Sequence, residues 1–307
     1  MVPRASALTV GKSYNKSAFS FLNLINSYNF LRYLEELIMT ELNTRQEEFA
    51  QALVNAYKHN TALNEEDWKD AVSDFDTAYA VQERVMTLKG QPTAGYKVSL
   101  TSEETQKMFD TDAPLYGQQV AERFLKGPAD VNVDHMNEPL LEVELGFRAK
   151  ETLSPDDSLE DLLHKTTVCG TVELPDARFV NWFPALGKYN VLSDCAVGGA
   201  VVYGEERDAD QVFSSVEDAA TVHVGLYHDG EKVSEGDSSE VLDNPLNSLQ
   251  WLVKKLAEQG KVFARGQLVS SGTFLLPPHL TAGKWEAKFN HDFGTVTVDA
   301  HPTVSKL

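Results

Sequence analysis

Two glutamates stand one residue apart in the run Pro139-Leu-Leu-Glu142-Val-Glu144-Leu-Gly-Phe-Arg148. The run alternates as a strand does: Leu141, Val143, Leu145 and Phe147 point one way, and Glu142, Glu144 and Arg148 the other. On one face, two residues apart, the carboxylates are about 7 Å from each other at their Cα atoms. Like charges at that spacing need solvent, a basic partner or a cation between them. An isolated Glu-x-Glu most simply marks the wet face of an edge strand. A third acid, Glu173, sits in a second strand-like run, Cys169-Gly-Thr-Val-Glu-Leu-Pro-Asp-Ala-Arg178, which ends in a turn. If the two strands are neighbours, Glu142, Glu144 and Glu173 form an oxygen cage suited to Mg²⁺ or Mn²⁺. Lys97, in Gly95-Tyr-Lys-Val-Ser-Leu100, is a lone cation among apolar residues. Two readings are open for it. Its stem snorkels along the apolar surface, or it stands beside the cation to hold a substrate carboxylate or move a proton.

Composition narrows what else this chemistry could serve. A formal net charge of −19 over 307 residues repels nucleic acid and anionic membranes unless a local basic patch offsets it, and the sequence has none. An anionic substrate therefore needs a metal or local cations to hold it. Cys169 and Cys195 give neither a disulfide framework nor a zinc motif, and their apolar surroundings read as buried thiols in a reducing cytoplasm. The sequence carries no glycine-rich phosphate loop. Its longest apolar stretch, from Phe19 to Ile38, is broken by Asn23, Asn26, Ser27, Asn29, Arg32 and Glu35, so it reads neither as a membrane span nor as a signal peptide.

The elements that must position these residues fall into three regions: a leader at 1–38, a small helical region at 39–93, and a β-rich domain at 94–307. The leader, rich in Ser and Asn, is either an extension upstream of a start at Met39 or an arm used in assembly. A helix is expected over 44–58, with Phe49, Leu53 and Ala56 on its stripe. A second is expected from a cap at Asn64 through Trp68, Val72, Phe75 and Tyr79 to Gly90. Ser102 caps a short helix, 113–117 reads as a turn, and 118–138 as polar loop with a short helix. Ser154-Pro-Asp-Asp157 opens a helix, with the cap, the proline and the acids in their favoured places. The glycines of Ser193–Ala200 either serve turns or let the chain pass near a ligand. Asp229-Gly230 marks a hairpin. Asn244-Pro245 opens the clearest helix, with Leu246, Leu249, Val253 and Leu256 in a 3.6-residue stripe. Strands follow at 268–273 and around Trp285 and Val296. This is not the regular β-α alternation of a doubly wound sheet.

In order and spacing, several stretches together resemble the fumarylacetoacetate hydrolase superfamily, and within it the branch of 2-keto-4-pentenoate hydratases and 4-oxalocrotonate decarboxylases. They are Ala78–Gln82, Gly95–Ser102, Glu142-Val-Glu144, Glu173–Arg178 with Asn181-Trp182, Asn244-Pro245 with Trp251-Leu252, and Gly266–Thr273. The likeness spans roughly residues 44–301. It implies an α+β fold: a β-rich rolled mixed-sheet core of the C-terminal type of that superfamily, with a small helical N-terminal part. It also implies metal binding by Glu142, Glu144 and Glu173, an active-site lysine at Lys97, and a small anionic 2-oxo acid as substrate. The expected reaction is metal-dependent hydration of a 2-hydroxypenta-2,4-dienoate-like acid. The alternatives are decarboxylation of a 4-oxalocrotonate-like diacid, and a non-catalytic protein that keeps the fold. A homo-oligomer is implied as well, and the branch also forms complexes between its hydratase and decarboxylase. Two positions depart from the pattern. Leu115 stands where the hydratases carry an aspartate, which pulls toward decarboxylation. Asp194-Cys195-Ala196-Val197 replaces an Asp-Asn-Ala-Ser, losing an amide and a hydroxyl that would touch substrate or its water.

Overall fold

The computed structural model describes residues 41–303, so the expected leader at 1–38 lies outside the described residues. From Leu42 onward the chain is one compact unit. Two helices open it, α1 (Thr44–His59) and α2 (Phe75–Lys89). The chain then runs through β1 (Thr93–Ser99), α3 (Glu103–Met108), β2 (Leu115–Val120), β3 (Phe124–Lys126), β4 (Ala129–Asn132), β5 (Glu142–Ala149), α4 (Leu159–Lys165) and β6 (Thr166–Leu174). After these come α5 (Lys188–Ser193), β7 (Ala200–Tyr203), β8 (Arg207–Asp208), α6 (Ala209–Val212), β9 (His223–His228), β10 (Glu231–Asp237), α7 (Pro245–Glu258), β11 (Leu268–Ser270), β12 (Gly283–Phe289) and β13 (Gly294–His301).

The strands form two sheets. The larger is mixed, in the order β2-β1-β11-β5-β6-β7-β3, with β8 paired to β6; the smaller runs β10-β9-β12-β13-β4. This is the expected α+β architecture, a curled mixed-sheet core with helices at its N-terminal end. No helix among the described residues is long and apolar enough to cross a membrane.

The apolar stripe of α1 (Phe49, Ala50, Leu53, Val54) is buried, and Phe49 stacks on Trp68 at 5.2 Å between ring centroids. Gln82 ties α2 to the sheet. Its amide donates to the carbonyls of Tyr116 and Leu192 at 3.1 and 2.9 Å, and its oxygen accepts from the Gln118 N–H at 2.9 Å. A polar side chain with every partner supplied sits in the core at little cost.

Four local expectations change. Asn64 caps only a 3₁₀ turn, Glu65–Asp67; the helix proper starts after Asp74, whose carboxylate accepts from the Thr77 N–H at 2.8 Å. Ser154–Asp157 closes as a turn, and the cap of α4 is Ser158, in a capping box with Asp161. The stretch read as a turn and polar loop from 115 to 138 contains β2, β3 and β4. Gln118 and Gln119 make it look solvent-facing, yet both are buried, and Gln118 is bonded to Thr93 and Glu83. At Ser193–Ala200, close backbone packing requires Gly199: a Cβ there would lie 1.9 Å from the Leu174 carbonyl oxygen.

Candidate metal and 2-oxo acid site

The three glutamates meet because β5 and β6 pair antiparallel with Glu142 directly opposite Glu173; Glu144 faces Thr171 two positions on. One carboxylate oxygen from each lies within 4.8 Å of the others. Lys97 approaches from two strands away. β1 pairs parallel with β11, Lys97 beside Ser270, and β11 pairs with β5, Ser270 opposite Gly146. The Ser270 hydroxyl donates to Glu173 Oε2 at 2.7 Å. Lys97 Nζ lies 2.7 Å from Glu173 Oε1 and 4.0 Å from Glu142 Oε2. Position excludes the snorkelling reading of this lysine: it is buried against the acid cluster.

Sequence reasoning assigned no role to Ser270 or Gly272. Gly272 donates its N–H to Glu144 Oε2 at 2.8 Å, with φ at +118°, and a Cβ there would lie 2.3 Å from Thr101 Oγ1. Only glycine brings the backbone that close in that conformation. The polar Ser-Ser-Gly directly after an apolar strand was the signal available.

Electrostatics show what the cluster lacks. Three carboxylates face one ammonium, and Glu144 Oε1 is buried without a hydrogen-bond partner. Burial pushes Glu142 up to about 7, with Lys97 pulling it back down and Glu173 adding to the rise. Burial, then the Glu173 and Glu142 charges, hold Glu144 well above the usual carboxylate range. Burial pulls Lys97 down, but Glu173 and Glu142 outweigh it and leave the ammonium above its ordinary value. The donor set is all oxygen, partly unpaired, and short of positive charge. A hard divalent cation fits each of those properties.

A cleft opens from Lys97 and Glu142. Leu140, Trp182, Phe183, Val191 and Val197 form much of its wall, and Met108 and Leu276 line it while 41% and 62% exposed. Val197 is held there by three consecutive left-handed residues, Cys195, Ala196 and Val197, at φ 52, 50 and 52°. That backbone is costly for a β-branched residue.

The two departures in the sequence part company here. Val197 lines the cleft. Leu115 is in β2, opposite Ser99, and lines a different groove with Phe75, Tyr79 and Trp251. Cys195 is buried 3.8 Å from Lys89 Nζ, and Asp194 is committed to Arg178.

The fold and site define a β-rich α+β protein with a buried cluster of three carboxylates whose chemistry suits a divalent cation. No family model matches the chain. It is 29% identical over 232 residues to the 2-oxo-hept-4-ene-1,7-dioate hydratase of Escherichia coli, covering 72% of this chain and 84% of that one. It is 22% identical over 188 residues to a 4-oxalocrotonate decarboxylase of a Pseudomonas species, covering 60% of this chain and 69% of that one. Its fold matches the 4-oxalocrotonate decarboxylase of Pseudomonas putida G7, solved with magnesium and adipate, at a TM-score of 0.77 and 22% identity, over 86% of this chain and all of that one. In sequence and in fold the chain is thus similar to hydratases and decarboxylases of the 2-keto-4-pentenoate hydratase and 4-oxalocrotonate decarboxylase kind.

Proposed function

We propose that this protein is a divalent-metal-dependent lyase that decarboxylates a 2-oxo diacid of the 4-oxalocrotonate kind. One observation carries the choice over hydration. Among the described residues lining the cleft, only Lys97 and Glu142 titrate, the other polar side chains being the hydroxyls of Ser99, Thr101, Ser102, Thr105 and Thr273, and both stand at the glutamate cluster. Adding water at the far carbons of a dienoic acid calls for a group there to orient the water and move protons. Losing CO₂ calls only for an electron sink at the 2-oxo end. The hydratase relative in Escherichia coli keeps hydration as the second reading.

Glu142, Glu144 and Glu173 would hold Mg²⁺ or Mn²⁺, both of which suit carboxylate and water ligands. The bound cation supplies a Lewis-acidic centre for the carboxylate and 2-oxo oxygens of the substrate. Ser270 and Gly272 fix the orientation of Glu173 and Glu144, so that the free oxygens face one another. Lys97 is the nearest proton carrier, and its raised pKa would fall if the glutamates held a cation. The β5–β6 pairing makes the metal end rigid.

The test is to give the Mg²⁺-loaded protein 2-oxohex-3-enedioate and, separately, 2-hydroxypenta-2,4-dienoate. CO₂ release from the first with no loss of diene absorbance from the second is expected. Hydration of the second would replace this reading with the hydratase. Inertness toward both would favour a binding or assembly role.

A further inference from the structure

We propose that the hydroxyl of Thr171 is a positioning group of the cation site, holding a water of the cation's shell beside Glu144. The inference rests on the metal-binding reading above and adds a residue to it.

Thr171 lies in β6, directly opposite Glu144 in the β5–β6 register and two residues before Glu173. Strand alternation puts it on the face that carries the three glutamates. It is fully buried, and its Oγ1 has no hydrogen-bond partner among the described residues. Glu144 Oε1, across the pairing, is orphaned in the same way, while its Oε2 is fixed by the Gly272 N–H. Side chains facing each other in such a pair stand about 5 Å apart at their Cβ atoms. The two orphaned atoms are near neighbours that do not bond to each other, and one small polar group between them completes both.

Further along the same face the polar groups are paired. Arg148 meets Glu206 at 2.9 Å, and Thr167 donates to the same carboxylate at 2.8 Å. Tyr203, beside Thr171 on β7, has its ring under the Arg148 guanidinium. The Thr171 side chain is also held in place. Its γ-methyl fills the space that Gly146 leaves, where a Cβ would lie 2.6 Å from it. The χ1 of a β-branched residue is stiff, so a methyl anchored over Gly146 fixes the hydroxyl on the other branch. Burying that hydroxyl without a partner costs stability, and valine would fill the same space in a strand without the cost. The fold itself does not use the hydroxyl.

A divalent cation brings it a partner. With three carboxylates and a chelating 2-oxo acid around Mg²⁺, an octahedral shell has one place left for water. A water whose oxygen faces the cation turns its hydrogens outward, toward acceptors. The Thr171 oxygen accepts one, and its own hydrogen remains free to donate to a carboxylate. Held in this way, the water is ordered and Glu144 Oε1 stays turned to the cation.

The test is Mn²⁺ calorimetry on the full chain, as the parent, Thr171→Val and Thr171→Ser. Valine keeps the shape and loses the hydroxyl; serine keeps the hydroxyl and loses the methyl. Thr171→Val is expected to bind Mn²⁺ about tenfold more weakly and Thr171→Ser to stay within about threefold of the parent. The metal-free urea midpoint of Thr171→Val is expected to hold or rise. Equal Mn²⁺ affinity in Thr171→Val would overturn the proposal and leave Thr171 facing a structural water only. Equal weakening in both variants would overturn it by assigning the effect to the methyl, and a markedly lower metal-free midpoint in Thr171→Val would overturn it by making the hydroxyl part of the fold. A parent protein that takes up no Mn²⁺ would instead remove the metal reading beneath it.

Discussion

Of two clusters of buried charge among the described residues, the one around Arg178 is closed and the one around Glu144 is open. Around Arg178, every demand is met. Its Nε donates to Asp194 Oδ1 at 2.6 Å, its other nitrogens reach the carbonyls of Gly198 and Asp194 at 2.8 and 2.9 Å, and its own N–H donates to Asp194 Oδ2 at 2.8 Å. Around Glu144, three acids share one lysine, and a buried oxygen has no partner. The closed cluster holds the loop that carries Val197. The open one retains charge that the protein does not balance by itself. Burial alone therefore does not mark a site; incompleteness does.

That contrast is open to direct attack. Asp194→Ala leaves the Arg178 guanidinium buried without its partner and should cost about 3–5 kcal/mol in urea unfolding. A loss below about 1 kcal/mol would show that the pair adds little. Glu144→Gln should do the reverse. It should leave the metal-free fold as stable as before or more so, while Mn²⁺ binding by calorimetry weakens about 100-fold, or about 2.7 kcal/mol. Equal Mn²⁺ affinity in the variant would remove Glu144 from the cage. Lys97→Gln should cut turnover about 100-fold while cation affinity holds or rises, because a neighbouring positive charge has gone. Loss of both together would make Lys97 structural.

The smallest effect is on pH dependence. Glu142, pushed up to about 7 by burial, is protonated in the metal-free native state at pH values where the unfolded chain has already ionised. The native state then holds more protons, so stability falls as pH rises. The penalty is absent below the unfolded carboxylate range and complete above the folded value. Between pH 6 and 8, Glu142 alone should cost the metal-free protein about 1 kcal/mol. Saturating Mg²⁺ should remove that slope and release protons on binding. A melting temperature equally pH-dependent with and without Mg²⁺ would contradict it.

Part of the open cluster was legible in the sequence, because strand alternation puts Glu142 and Glu144 on one face; Glu173 joins them only through the β5–β6 register, which alternation does not give. The closed cluster was not: Arg178 and Asp194 are 16 residues apart, and neither spacing nor periodicity marks such a pair. Helix starts were misplaced for a related reason. Asn64 and Ser154 are as good caps as Asp74 and Ser158 in local chemistry, and packing decided between them. β2 was missed because Gln118 and Gln119 look like loop residues until their partners on α2 and β1 are in place. Leu115, expected from the resemblance to bear on the reaction, lines a separate groove, so the case for decarboxylation rests on the cleft wall instead.

The central claim is that the open cluster binds a divalent cation that would in turn hold a 2-oxo acid. Anomalous diffraction from crystals soaked in Mn²⁺ and oxalate tests it most directly. The account predicts one anomalous peak coordinated by Glu142, Glu144 and Glu173, with oxalate chelating it on the cleft side near Lys97. Glutamates turned apart with no shared peak, or manganese bound elsewhere, would contradict it.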